Sequence, residues 1–169
     1  MSTETNRFTR RTRRALVAAG AAMALVAAAC GGEGDGEASS GPDCAPVGTE
    51  LAAGADTTVD VSLDDYAIGL STSTVDAGVV TFDTTNEGSE PHELAFLPGG
   101  GDVPFTADAP DEEALAGRGA FELEAYGPGR SCSATYDLEP GTYTLFCIVD
   151  SPDGQTHLEK GMRATLTVR

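Results

Sequence analysis

The chain has few positive charges: its 169 residues include 10 Lys and Arg against 27 Asp and Glu, a formal net charge of −17. Five of the ten basic residues and one of the acidic residues lie in residues 1–29, so the remainder carries a formal net charge of −21. Such an acidic surface repels nucleic acid and anionic lipid headgroups, and it attracts basic proteins. We therefore expect no nucleic-acid partner and favour a basic protein partner.

The sequence also lacks the motifs of several enzyme classes. No Gly-x-Ser-x-Gly or comparable arrangement surrounds a candidate nucleophile, which argues against a hydrolase. Gly99, Gly100 and Gly101 are adjacent, but no Lys-Ser or Lys-Thr pair follows them. They are therefore not a phosphate-binding loop. We expect a protein that is not an enzyme.

Long apolar runs are missing apart from one near the N-terminus. Residues 15–29 contain only Ala, Leu, Val, Met and Gly, and five arginines precede them within residues 7–14. This run is shorter than the roughly 20 residues that span a bilayer, so residues 1–29 are predicted to be a signal peptide. The small residues before Cys30 resemble a bacterial lipobox, which makes Cys30 the expected lipidation site. The alternative is ordinary cleavage that leaves Cys30 unmodified.

The rest of the chain divides into a tether and one domain. Residues 31–40 are Gly, Glu, Asp, Ala and Ser, with almost nothing apolar to bury. Residues 30–56 are therefore predicted to be the lipidated N-terminus and a flexible acidic tether. Residues 57–169 suit one small domain with one core. We expect a monomer at the outer face of the cell membrane, in contact with the membrane only through its lipid anchor.

The chain has four cysteines, and the expected export places them in an oxidising compartment. With Cys30 as the lipid site and Cys147 as a candidate metal ligand, Cys44 and Cys132 remain as a candidate disulfide. The alternative is that one of these two is a free buried thiol. Sequence alone does not supply the Cα separation that a disulfide requires.

Alternation of apolar and polar residues predicts short strands through the first part of the domain. The predicted strands cover residues 58–63, 66–70, 78–84 and 92–97. The period of two places His92 on the same face as Leu94 and Phe96, so the histidine faces the core. Residues 99–130 are acidic and rich in glycine, and we predict a long loop there with one short helix at residues 111–116.

The C-terminal third has the strongest alternation. Residues 131–138 predict a strand, and the turn Glu139-Pro140-Gly141 leads into a second strand that places Cys147 on the face of Tyr143 and Leu145. A last strand runs over residues 162–168. Many short strands with Gly and Pro turns, and almost no long amphipathic helix, predict an all-β sandwich.

The chain has only two histidines, and both lie beside features that a copper site needs. His92 opens a core-facing strand, His157 follows Cys147, and Met162 enters the last strand. Two imidazoles and a thiolate with a weak thioether favour copper and let it cycle between two oxidation states. Zinc accepts His and Cys but has little use for a thioether. Each residue alone has an ordinary structural explanation, as a buried thiol, a loop histidine or a core methionine, but their joint placement favours one copper ion.

These motifs resemble the cupredoxins, the family of type 1 blue copper proteins. The resemblance rests on a histidine after an Asn-x-Gly turn, followed by Gly-Thr-Tyr, Cys, His and Gly-Met before a closing strand. It covers roughly residues 57–169. It implies a Greek-key β-sandwich of about seven or eight strands, with one long loop that carries a short helix.

Carried over residue by residue, the resemblance makes His92, Cys147 and His157 the ligands of one type 1 copper, with Met162 as the axial ligand. One departure concerns the segment between the cysteine and the second histidine, which in this family usually has only a few residues. Here nine residues, 148–156, intervene, so this loop is longer than the family pattern.

The resemblance implies one-electron transfer, and the lipid site and the acidic surface predict that it occurs at the cell surface with a basic redox partner. One alternative is a copper carrier or buffer without redox turnover, and another is a metal-free interaction domain that keeps only the fold. An oxidase or nitrite reductase is not expected, because the additional copper centres of those relatives need many histidines. A mononuclear copper enzyme would require Met162 to turn away from the metal.

Overall fold

The computed structural model describes residues 46–47, 54–55, 57–107 and 109–169. The predicted signal peptide, Cys30, Cys44 and most of the predicted tether lie outside the described residues. The described residues belong to one compact unit, Ala38–Arg169. Within that part of the chain, no helix has the length and apolar character to cross a membrane.

The described elements are mostly short strands. In chain order they are β1 (Pro46–Val47), β2 (Thr57–Asp64), β3 (Ala67–Leu70), β4 (Thr74–Val75), β5 (Gly78–Asn86), β6 (His92–Pro98), β7 (Phe105–Thr106), β8 (Ala109–Pro110), helix α1 (Glu112–Gly117), β9 (Phe121–Tyr126), β10 (Ser131–Leu138), β11 (Gly141–Phe146) and β12 (Arg163–Val168). Eight of these strands have four or more residues, which agrees with the predicted number.

The strands form two packed sheets. The first sheet has the order β1-β9-β6-β11-β12-β4, and the second has the order β10-β5-β2-β3. A small hairpin of β7 and β8 lies outside both sheets. Most pairs are antiparallel, while β2 with β5 and β12 with β4 are parallel. The structure confirms the predicted all-β sandwich.

Alternating side chains of both sheets make the core between them. In β2 the buried residues are Val59, Val61 and Leu63, with exposed or half-buried neighbours between them. The rings of Phe82 from the second sheet and Phe96 from the first meet edge to face, with centroids 4.8 Å apart. Such burial of apolar and aromatic side chains is the main force that holds two sheets together.

The predicted long loop at residues 99–130 is only partly correct. Its helix is present as α1, and Asp111 caps it by accepting a hydrogen bond from the Ala114 N–H at 3.0 Å. The same segment also contains β9, which pairs with β6 inside the first sheet. The acidic composition of β9 concealed this strand, whose Leu123 and Tyr126 are almost fully buried. Its Phe-Glu-Leu-Glu alternation fits a strand, and burial and pairing with β6 stabilise it.

The segment between β6 and β9 also covers the outer face of the first sheet. A second apolar cluster consists of Ala95, Leu97, Leu115 and Phe146, and half-buried Leu158 packs against it. Strand β6 is therefore buried on both faces. A strand held in this way is a rigid support for a side chain at its end.

Candidate metal centre

Three of the four predicted ligands lie at one end of the first sheet. Strands β11 and β12 pair in register up to Phe146 and Arg163, so Cys147 and Met162 face each other one step beyond the ladder. The N–H of Cys147 donates to the carbonyl of Met162 at 3.4 Å. His92 begins β6, which runs antiparallel to β11 on its other side. The register of three neighbouring strands thus gathers these residues.

His157 reaches the same place from the long loop at residues 148–161. The loop folds back on itself, because the N–H of Ser151 donates to the Gln155 carbonyl at 2.8 Å and the N–H of His157 donates to the Val149 carbonyl at 2.9 Å. The carbonyl of His157 then accepts from the Met162 N–H at 2.9 Å. The extra length of the loop is therefore taken up by its own hydrogen bonds.

The side chains of His92, Cys147 and His157 converge. One ligand atom from each lies within 4.8 Å of the other two. The two Nδ1 atoms are 2.9 Å apart, and the Sγ of Cys147 is 3.3 Å from Nδ1 of His157. All three residues are 0% exposed, and so is Met162. The centre is closed to solvent.

Each imidazole turns its other nitrogen towards a carboxylate. Nε2 of His92 lies 3.2 Å from Oδ1 of Asp65, and Nε2 of His157 lies 2.9 Å from Oε2 of Glu90. The hydroxyl and N–H of Ser89 donate to Asp65, and these bonds lower the pKa of the Asp65 carboxyl to about 2. Asp65 is therefore ionised at neutral pH and can only accept.

The close approach of Asp65 to His92 needs a glycine at position 88. A Cβ atom there would lie 2.6 Å from Nε2 of His92 and 2.5 Å from Oδ1 of Asp65. No side chain larger than hydrogen fits without moving one of these two groups.

The donor set fits a metal ion. Carboxylates beside both Nε2 atoms favour the tautomers in which the Nδ1 lone pairs of His92 and His157 face each other and the thiol of Cys147. Burial lowers the pKa of His92, which keeps the ring neutral, and burial together with nearby Glu93 raises the pKa of Cys147 to about 12. A soft cation that displaces the thiol proton would satisfy all three groups. Two nitrogens and one sulfur, with a buried methionine beside them, suit copper.

Several solved structures are similar to this chain. No protein-family model and no curated protein matches the chain. The structure of auracyanin B is 26% identical, with a TM-score of 0.54 over 74% of this chain and 98% of that chain. The dithionite-reduced auracyanin of the photosynthetic bacterium Roseiflexus castenholzii is 28% identical, with a TM-score of 0.50 over 69% of this chain and 99% of that chain. The chain contains a cupredoxin domain.

A third match to the cupredoxin domain is more distant. Auracyanin A, described as a "blue" copper protein from Chloroflexus aurantiacus, is 18% identical, with a TM-score of 0.46 over 66% of this chain and 98% of that chain. The fold brings His92, Cys147 and His157 together in a buried group. The cupredoxin domain therefore has the donor set for a single type 1 copper.

Sequence analysis did not identify the two carboxylates that contact the histidine rings of the cupredoxin domain. Asp65 lies in the turn between β2 and β3, and Glu90 lies between β5 and β6. Neither belongs to a motif, and only the fold brings them to the rings. Among the cysteines, Cys147 is a free buried thiol and Cys132 is a disulfide cysteine. The partner predicted for Cys132, Cys44, lies outside the described residues, so their pairing stays a prediction.

Proposed function

We propose that the cupredoxin domain binds one type 1 copper ion through His92, Cys147, His157 and the axial Met162, and that it carries single electrons between partner proteins. The observation that carries this proposal is the convergence of two imidazole Nδ1 atoms and one thiol in a site with no solvent exposure. When bound there, copper supplies a one-electron redox couple.

Burial favours electron transfer over catalysis or metal exchange. A substrate must reach a metal to react, and a carrier must release its metal, whereas an electron crosses a few ångströms of protein without an opening. Cavities of about 420 and 430 Å³ lie elsewhere on the domain, and neither is lined by a predicted ligand. We therefore propose an electron carrier that is not an enzyme.

The partner and location follow from charge and from the N-terminal pattern. Residues 30–169 carry a formal net charge of −21, which would steer a basic redox protein towards them. The predicted signal peptide and lipid site at Cys30 support a place at the outer face of the cell membrane. A mass measurement of the membrane-extracted protein tests this location, since lipidation adds the mass of acyl chains at residue 30.

The experiment that tests copper binding compares residues 31–169 with the Cys147→Ser variant, each with one equivalent of Cu(II). We expect an intense thiolate-to-copper absorption band and a narrow parallel hyperfine splitting in the EPR spectrum. Both should be absent in the variant, because serine offers no thiolate. A weak spectrum that is the same in both proteins would contradict the type 1 site. Tight Cu(I) binding without that band would favour a carrier, and no binding of either ion would favour a metal-free interaction domain.

A further inference from the structure

Glu90 holds the side of His157 that faces away from the predicted metal. Its Oε2 lies 2.9 Å from Nε2 of His157, while the Glu90 side chain keeps 21% of its surface exposed and His157 keeps none. Glu90 belongs to the connection between β5 and β6, and His157 belongs to the loop at residues 148–161. The contact therefore joins two separate segments at the metal centre.

Glu90 is itself held by two further side chains. Its Oε1 accepts from the hydroxyl of Tyr66 at 3.0 Å, and its Oε2 accepts from the hydroxyl of Ser151 at 3.0 Å. Tyr66 lies in the turn between β2 and β3, and its ring meets the His157 ring edge to face, with centroids 5.4 Å apart. Lys160 covers the Tyr66 ring, with Nζ 4.6 Å from the ring centroid. Such a carboxylate has little freedom to turn away from the histidine.

We propose that Glu90 is a positioning residue that keeps the proton of His157 on Nε2, directs Nδ1 towards Cys147 and lowers the reduction potential of the bound copper. This proposal rests on the proposed copper site. A carboxylate that accepts from the far nitrogen fixes the tautomer of a metal-binding imidazole and makes the near nitrogen a stronger donor. A stronger donor with a negative charge behind it stabilises Cu(II) more than Cu(I), because Cu(II) has the higher charge.

The first test uses the copper-loaded protein and the Glu90→Gln variant, which has nearly the same shape but no charge. In a redox buffer of fixed composition, we expect the ratio of reduced to oxidised copper to rise about tenfold in the variant, or ~59 mV for one electron. The thiolate-to-copper band should remain, since the ligands are unchanged. A ratio that changes less than about twofold, with the band intact, would overturn the role of Glu90.

The matched control is Glu87→Gln, which removes the same charge from an exposed position in the same connection. It should change the ratio much less than Glu90→Gln, because Glu87 has no contact with a predicted ligand among the described hydrogen bonds. An equal change in both variants would show a general effect of charge and would overturn the proposal. A wild-type protein without the thiolate band would instead contradict the proposed copper site.

The second test needs no metal. Nitrogen-15 NMR of the ring at pH 8 reports which nitrogen of His157 carries the proton in the metal-free protein. We expect the Nε2–H tautomer in the wild type and a mixture in Glu90→Leu, which has no acceptor at that position. Backbone amide spectra of the variant check that the domain is folded. A Nε2–H tautomer that persists unchanged in the folded variant would overturn the positioning role.

Discussion

The metal centre is built from two unlike halves. In the strand-borne half, His92, Cys147 and Met162 sit at the ends of β6, β11 and β12, and the ladder hydrogen bonds of the first sheet set their spacing. In the loop-borne half, His157 lies in the loop at residues 148–161. There, side chains add to the backbone hydrogen bonds of the loop: the carboxylate of Glu159, for example, accepts from the Thr156 N–H at 2.7 Å.

The difference implies that the strand-borne half contributes to the stability of the domain, whereas the loop-borne half determines the environment of His157. The strand-borne half shares its support with the hydrophobic core, so changes there should weaken the whole domain. The loop-borne half depends on polar contacts that are partly open to solvent, and each of these contributes little to folding. Changes in the loop should therefore leave the fold intact and act on His157.

The largest expected effect is in the strand-borne half. Leu145 is 0% exposed and lies opposite Phe96 and Ala164 in the ladder, two residues before Cys147. Leu145→Ala should lower the free energy of unfolding of the metal-free protein by about 3 kcal/mol, because it leaves a cavity in the core. Urea denaturation measures this loss.

The matched change in the loop-borne half is Leu158→Ala. Leu158 is half-buried and packs against the second apolar cluster. Its truncation should therefore lower the free energy of unfolding by about 1 kcal/mol. Equal losses in the two variants would contradict the division between a strand-borne half that carries stability and a loop-borne half that does not.

The sequence also predicts the strand-borne half better than the residues that surround the histidines. The period of two in residues 131–138, 143–147 and 162–168 is a local property of the sequence, and it placed Cys147 and Met162 at the ends of strands whose register brings them together. The acidic strand β9 was missed, because its short Phe-Glu-Leu-Glu alternation lies within a segment that is otherwise acidic and rich in glycine. Glu90 and Asp65 could not be assigned, since they are 67 and 27 residues from the histidines they contact. Such contacts depend on how the turns pack, which no spacing motif encodes.

The second prediction concerns a buried acid in the strand-borne half. Glu93 lies at the β-bulge of β6, is 9% exposed and accepts from the Ile148 N–H at 2.6 Å. Burial, opposed by that hydrogen bond and reinforced by the charge of Glu122, raises the pKa of Glu93 from 4.5 to about 7. The folded state thus holds a proton that the unfolded state releases at lower pH. The free energy of unfolding should therefore fall as the pH rises from about 4.5 to 7, and the loss should be complete above that range.

The Glu93→Gln variant removes this pH dependence. Glutamine stays neutral, and its carbonyl can still accept from Ile148. The metal-free variant should be about 2–3 kcal/mol more stable than the wild type at pH 8 and equally stable at pH 4. Urea denaturation across this range gives the difference. A gain that is the same at both pH values would contradict a titrating Glu93.

The smallest expected effect is in the loop-borne half, at the ion pair of Lys160 and Asp153. Their charged atoms are 2.6 Å apart, and the Asp153 side chain is 55% exposed. Lys160→Met keeps an apolar chain over the Tyr66 ring and removes the charge. We expect a smaller shift of the urea midpoint than in Leu158→Ala, and the shift should shrink further in 1 M salt because salt screens exposed pairs. A large shift that salt does not alter would mean that Lys160 supports the fold through Tyr66, and the loop would then share the structural role of the strands.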